Sequence, residues 1–216
     1  MDANQVATLR ALLAATGWLE RARAFARGLR TATRTPGGLL VVGTPDDEPW
    51  HLTAHLDEES RLAGIPELTP TLVRWQVPDR APSHLRVGLE RLEAARRGET
   101  LFVVAPSAAP VPLLERLSDA RRTGATVFAL DQGDPELDAL AHEAMTVRPG
   151  AVSFGAAQHL VSTACGELDG ARRDQEFGVA TGRVQPPAGY QRYRTGVRGL
   201  RERVARLLEA VSGPSG

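Results

Sequence analysis

Histidine side chains offer the first possible chemistry in this chain. His51 and His55 are four residues apart, so on a helix they would share one face and could bind zinc. A metalloprotease-type motif would also need a glutamate directly after His51, but Leu52 stands there. Partly buried polar contacts are an alternative role for these side chains. We therefore predict neither a metal site nor a cofactor.

Two loops that follow apolar runs are the next candidates for ligand binding. The first, residues 43–49, reads GTPDDEP, and its acids would also suit the first turn of the following helix. The second, residues 105–110, reads APSAAP and keeps one hydroxyl. Prolines remove backbone donors from both loops, and the acids of the first loop also repel phosphate. We therefore predict weak phosphate binding. The ligand-binding candidates are Gly43 and Thr44 of the first loop and Ser107 of the second, together with Asp131 directly after the apolar run 125–130.

Composition excludes several classes of function. All 26 basic residues are arginine, so the chain cannot form a lysine Schiff base, and a GC-rich bacterial genome would explain the bias. The single cysteine, Cys165, allows no intramolecular disulfide, which suits a reducing cytoplasm. The net charge of zero gives no overall attraction to nucleic acid. No apolar run approaches the roughly 20 residues of a membrane helix, so no membrane partner is expected.

Apolar runs alternate with helical patterns along most of the chain. Parallel strands joined by helices give this alternation, and right-handed crossovers would wind the sheet doubly. The pattern predicts an α/β fold with a five-stranded parallel sheet flanked by helices. Its strands should lie near residues 39–42, 71–77, 101–105, 125–130 and 145–148. Helices should lie near 6–29, 50–62, 82–97 and 154–168. One more helix should carry Leu113 to Ala120 and end at Gly124, and another should open with Asp134 as N-cap and Pro135 in its first turn.

The two ends of the chain read as helical extensions. We predict three parts: an N-terminal helical extension at 1–34, the α/β domain at 35–169, and an irregular segment with a basic helix at 170–216. The long apolar stripe of the first helix predicts a homo-oligomer, a dimer or tetramer. The basic C-terminal helix at 196–211 could be a solvated helix packed by its leucines and valines, or could dock an acidic protein partner.

Three stretches carry a resemblance to a known family. They are GLLVVG at 38–43 with WHLTAHL at 50–56, ARRTGATVFAL at 120–130, and the triplet Gln158-His159-Leu160. In this order they resemble the sugar isomerase (SIS) domains, and specifically the phosphoheptose isomerase branch, over residues 5 to 168. The resemblance implies a cytoplasmic SIS-like fold with a ligand cleft at the carboxyl ends of the strands.

The resemblance also implies functional positions, and here the chain departs from the family. The family's catalytic glutamate falls on His55 and its histidine on His159, while the glycine- and serine-rich phosphate loops are missing. We expect a non-catalytic SIS-like protein that binds a carbohydrate derivative or other small ligand, or acts through assembly. One alternative is a divergent sugar-phosphate isomerase that uses His55 and His159 as acid and base. The other is a scaffold whose pocket is filled by Trp50 and Pro45.

Overall fold

The protein folds around one parallel sheet in this computed structural model, which describes residues 17–77, 79–82, 85–150 and 152–167. The strands are β1 (Leu39–Val42), β2 (Pro70–Val73), β3 (Thr100–Ala105), β4 (Thr126–Asp131) and β5 (Glu143–Thr146). They pair in the order β2-β1-β3-β4-β5, and every pair is parallel. The predicted α/β class with a five-stranded parallel sheet flanked by helices is confirmed.

Helices connect the strands as the alternation predicts. They are α1 (Trp18–Ala32), α2 (Trp50–Ala63), α3 (Glu90–Glu93), α4 (Val111–Arg122), α5 (Pro135–Leu140) and α6 (Phe154–Gly166), with a 3-10 turn at Pro66–Leu68. None of the helices in the described part of the chain combines the length and apolar character needed to span a membrane. The start of the predicted first helix, before residue 17, and the basic helix at 196–211 lie outside the described residues.

The central strands β1, β3 and β4 are buried on both faces, which explains why they read as nearly continuous apolar runs. On one face, Leu101 and Val103 of β3 belong to a cluster with Leu113 and Leu117 of α4. On the other face, the Phe25 ring of α1 lies 5.5 Å from the Phe102 ring and 5.1 Å from the Phe128 ring, centroid to centroid. Large apolar side chains therefore anchor helices on both faces of the sheet.

One predicted helix is wrong over most of its length. Among the described residues of 82–97, the α-helical part is the single turn Glu90–Glu93. The Arg74 amide donates to the Val87 carbonyl at 2.8 Å, and Arg74 and Gly88 pair as an isolated parallel bridge. Val87 and Gly88 therefore run beside the end of β2. The strand predicted at 71–77 is observed at Pro70–Val73, and Arg74 beyond it forms an isolated bridge to Gly88.

The chain divides into two compact units. One is Arg21–Gly166, which contains the whole sheet. The other combines Met1–Glu20 with Glu167–Gly216, and only residues 17–20 and 167 of it are described. The domain boundaries inferred from the sequence stay predictions. All sites discussed below lie within Arg21–Gly166.

Candidate functional site

An open cleft of about 770 Å³ lies at the carboxyl ends of β1 and β2. Its walls are residues 45–48, Trp50, residues 74–77 and Asp79. Ligands of open α/β sheets bind outside the carboxyl ends of the strands, so the cleft lies on the functional edge of this fold. The sequence pointed to the loops after β1 and β3, whereas the cleft is built by the loops after β1 and β2.

The loop after β1 folds tightly back on itself. The amides of Thr44 and Asp47 each donate to the other's carbonyl oxygen at 3.2 Å. A Cβ atom at Gly43 would lie 1.9 Å from the Asp47 carbonyl oxygen, so only glycine fits there. The Trp75 indole N–H donates to the Gly43 carbonyl at 2.8 Å and ties the ends of β1 and β2 together. This loop is a fixed wall of the cleft.

Glu48 is the centre of the hydrogen bonds at the cleft. Its Oε2 atom accepts from Arg74 Nε at 3.1 Å, Arg74 Nη2 at 3.0 Å and Trp50 Nε1 at 2.9 Å. Its Oε1 atom accepts from the Trp75 backbone N–H at 3.3 Å. The Arg74 guanidinium carbon also lies 4.7 Å from the centroid of the Trp50 ring, a cation–π contact.

This arrangement corrects one expectation and adds two residues that the sequence did not indicate. The acids at 46–48 do not enter the first turn of α2, which begins at Trp50 and has no acidic residue there. Instead, Glu48 is paired with Arg74, 26 residues away. No sequence spacing signals a pair at that distance, so Arg74 and Trp75 could be found only from the structure.

In the loop after β3, one backbone amide already donates to a carboxylate of the protein itself. The Ala109 amide donates to Asp134 Oδ2 at 2.7 Å. The other oxygen of Asp134 accepts from the Glu136 and Leu137 amides at 3.0 and 3.2 Å and caps α5. Ser107 in the same loop is exposed and is not among the residues that line the cleft. The Ala109 amide is therefore not available to an incoming anion.

Asp131 and Thr44 are buried polar residues near the strand ends. Asp131 ends β4 with no exposed surface, its Oδ1 atom accepts from the Gly133 amide at 2.5 Å, and its Oδ2 atom has no hydrogen-bond partner among the described residues. Burial raises the pKa of Asp131, and the nearby Asp138 carboxylate raises it further. Thr44 is 2% exposed, and its hydroxyl likewise lacks a partner within the described chain. Neither side chain lines the cleft.

The two histidines predicted as an acid–base pair lie together. The His55 ring is 4.7 Å from the His159 ring and 6.1 Å from the His51 ring, centroid to centroid. Burial lowers the pKa of His159, and the positive charges of His55 and His51 lower it further. A neutral imidazole can accept a proton, so the pair could act as a base. Among the described residues, no three His, Cys, Asp or Glu side chains cluster as metal ligands.

Comparisons with known proteins concern the fold. No protein-family model matches the chain, and no curated protein matches it. The chain is similar to a Silicibacter pomeroyi DSS-3 structure described as a phosphosugar isomerase, with 17% identity, a TM-score of 0.48, and coverage of 79% of this chain and 50% of the other. It is also similar to the Vibrio vulnificus NanR protein complexed with ManNAc-6P, with 14% identity, a TM-score of 0.46, and coverage of 87% and 62%.

A third similar structure is a Salmonella typhimurium LT2 protein described as sugar-binding. It has 14% identity and a TM-score of 0.42, and the match covers 74% of this chain and 52% of that one. The chain therefore spans between 50% and 62% of the length of these three proteins. The phosphoheptose isomerase branch of the SIS family stays a prediction.

Proposed function

We propose that this SIS-like domain binds an unphosphorylated carbohydrate derivative in the cleft and does not transform it. The observation that carries the proposal is the Trp50 side chain, which lines the cleft and is 41% exposed. Indole rings offer flat apolar faces to sugar rings, and carboxylates accept hydrogen bonds from hydroxyls. Trp50, Trp75 and the acids of the cleft supply both kinds of contact. The open cleft supports this reading over a scaffold with a filled pocket.

Phosphate would be a poor partner for this site. Glu48 takes the donors at the ends of β1 and β2, and Asp134 takes the Ala109 amide. Asp46, Asp47 and Asp79 add exposed carboxylates along the cleft. Like charges in a shared cleft repel, so a phosphate dianion gains little and loses its hydration there.

We expect a sugar to bind more tightly than its own phosphate ester. Glucosamine and glucosamine 6-phosphate form a matched pair, and titration calorimetry at constant ionic strength compares them directly. A sub-millimolar Kd for the phosphate, tighter than that of the parent sugar, would contradict the proposed function. Trp50→Ala should weaken sugar binding, whereas Val111→Ala, at an apolar residue 62% exposed outside the cleft walls, should not.

The divergent isomerase remains a second candidate because His55 and His159 are in contact and the pKa of His159 is lowered. If it is right, purified protein will interconvert an aldose phosphate and a ketose phosphate, and His55→Ala or His159→Ala will remove that turnover. Under our proposal, the wild type shows no turnover and both variants keep the sugar affinity of the cleft. Product analysis by chromatography with parallel calorimetry separates the two outcomes.

We further propose that the protein works as a homo-oligomer. An apolar stripe is predicted for residues 6–29. In its described part, Phe25 and Leu29 of α1 are buried within Arg21–Gly166. Residues 6–16 of the stripe lie outside the described part. Light scattering at micromolar concentration should give at least twice the single-chain mass of 23.2 kDa. A value equal to one chain would rule out the oligomer. We also propose that the basic segment 196–211 can dock an acidic protein partner.

A further inference from the structure

We propose that Arg74, Trp50 and Trp75 form a carboxylate-binding site that Glu48 occupies in this structure. A ligand carboxylate binds there by displacing Glu48 into the cleft. The inference rests on the proposed function and deepens it, because the carbohydrate derivative of the cleft would then carry a carboxylate. The site is assigned from the geometry of four N–H donors around one carboxylate.

The donors surround a carboxylate group on both of its oxygens. Arg74 contributes Nε and Nη2 from one guanidinium edge, and Trp50 adds its indole N–H to the same oxygen at 2.9 Å. Trp75 donates its backbone N–H to the second oxygen at 3.3 Å. The planar fork of a guanidinium matches a planar carboxylate better than a single point charge would. The end of the Glu48 side chain has the same atoms as a free carboxylate, so a ligand could make the same contacts.

The backbone that carries two of these donors is held by contacts that do not involve Glu48. The Arg74 backbone N–H donates to the Val87 carbonyl at 2.8 Å. The Trp75 indole N–H donates to the Gly43 carbonyl at 2.8 Å, which fixes residue 75 at the end of β2. The Arg74 guanidinium lies over the Trp50 ring, a contact that does not need Glu48. The Arg74 and Trp75 donors should therefore stay in place when Glu48 leaves.

Glu48 is placed so that a ligand can replace it. The Glu48 and Arg74 side chains are each 16% exposed, and both line the open cleft. The Glu48 side chain borders the open cleft, so it can turn outward while the backbone of its loop stays in place. A tethered carboxylate competes at millimolar or higher effective concentration, so it weakens free carboxylates without excluding them. The exposed Asp46, Asp47 and Asp79 favour a monoanion, or a carboxylate with a neighbouring ammonium group, over a phosphate dianion.

Acetate tests the proposal because it is the missing end of the side chain in Glu48→Ala. We expect acetate, balanced with chloride at constant ionic strength, to change tryptophan fluorescence and raise Tm saturably in Glu48→Ala. The wild type should show the same response with an apparent Kd at least ~10-fold higher, since its own carboxylate competes. The double variant Glu48→Ala/Arg74→Ala should show no saturable response. Inorganic phosphate should bind Glu48→Ala more weakly than acetate does.

Three outcomes would overturn the proposal. Glu48→Ala could fail to respond to acetate, the double variant could respond equally, or the wild type could fail to respond at any concentration. Glu48→Gln serves if Glu48→Ala does not fold, because its amide weakens the contact with Arg74, and acetate should then bind it more tightly than the wild type. Failure of acetate binding leaves the calorimetry with glucosamine, which carries no carboxylate, unaffected, so the two proposals fail separately.

Discussion

Gly43→Ala is expected to lower the free energy of unfolding by about 2–3 kcal/mol and to weaken ligand binding in the cleft. The added methyl carbon would lie 1.9 Å from the Asp47 carbonyl oxygen and 2.6 Å from Pro49 Cδ. Neither atom belongs to a flexible side chain end, so the loop itself must move. Overpacking of a fixed site typically costs about 1–3 kcal/mol, and this contact is severe enough for the upper part of that range. Urea denaturation measures the loss, and calorimetry measures the change in binding.

The chain contains a matched control for this substitution. Gly155 lies in the first turn of α6, is exposed, and has no atom within 4 Å of the position that a Cβ would take. Gly155→Ala should therefore be neutral or stabilise by about 0.5–1 kcal/mol, the usual gain in a helix. If Gly43→Ala were as stable as the wild type, the close approach of the loop to the end of β1 would be disproved.

Asp131→Asn is expected to stabilise the protein by about 1–3 kcal/mol at neutral pH, the usual cost of a buried polar atom without a partner, here Asp131 Oδ2. The amide oxygen can still accept from the Gly133 N–H, and the amide nitrogen can donate towards Asp138. Burial raises the pKa of Asp131 in the folded protein, so folding opposes ionisation of this carboxyl. Stability is therefore lost as pH rises from the unfolded pKa of about 4 through the folded pKa.

The gain from Asp131→Asn should follow that pH dependence. It should be small below about pH 4, where the carboxyl is neutral in both states, and should grow to a constant value above the folded pKa. Denaturation of both proteins from pH 3.5 to 8 gives the difference, in which the other carboxyl groups cancel. Asp46→Asn, at an exposed residue, is the control for removal of one carboxylate charge from the surface. A gain that did not depend on pH would mean that charge burial is not the cause.

The sheet could be predicted from the sequence because its central strands are apolar runs bounded by turn residues. β3 and β4 are buried on both faces, so six successive residues of each read as an apolar run or nearly so. Asp134 and Pro135 marked the start of α5, and the structure shows that cap. The helix predicted at 82–97 was wrong for a physical reason. Val87 pairs with the Arg74 amide at the end of β2, and no local sequence pattern encodes that contact.

The site was less predictable because its residues meet through tertiary contacts. The resemblance assigned His55 and His159 to the family's catalytic positions, and the structure brings their rings together, although their role stays a prediction. The loop residues Gly43 and Thr44 adjoin the cleft, whereas Ser107 and Asp131 lie elsewhere. From the sequence, Glu48 was predicted to repel anions, whereas in the structure it forms an ion pair with Arg74. Spacing along the chain carries no information about such a pair.

The short edge strands have a consequence for how the protein can associate. β2 and β5 are the two edges of the sheet, and each has only four residues. β2 opens with Pro70, which cannot donate to a neighbouring strand, and the backbone beyond its end is already paired at Val87. Short or covered edges resist strand addition and fibre growth. Copies of this chain should therefore stay free of amyloid-like aggregation through the sheet, and any partner should dock on helices.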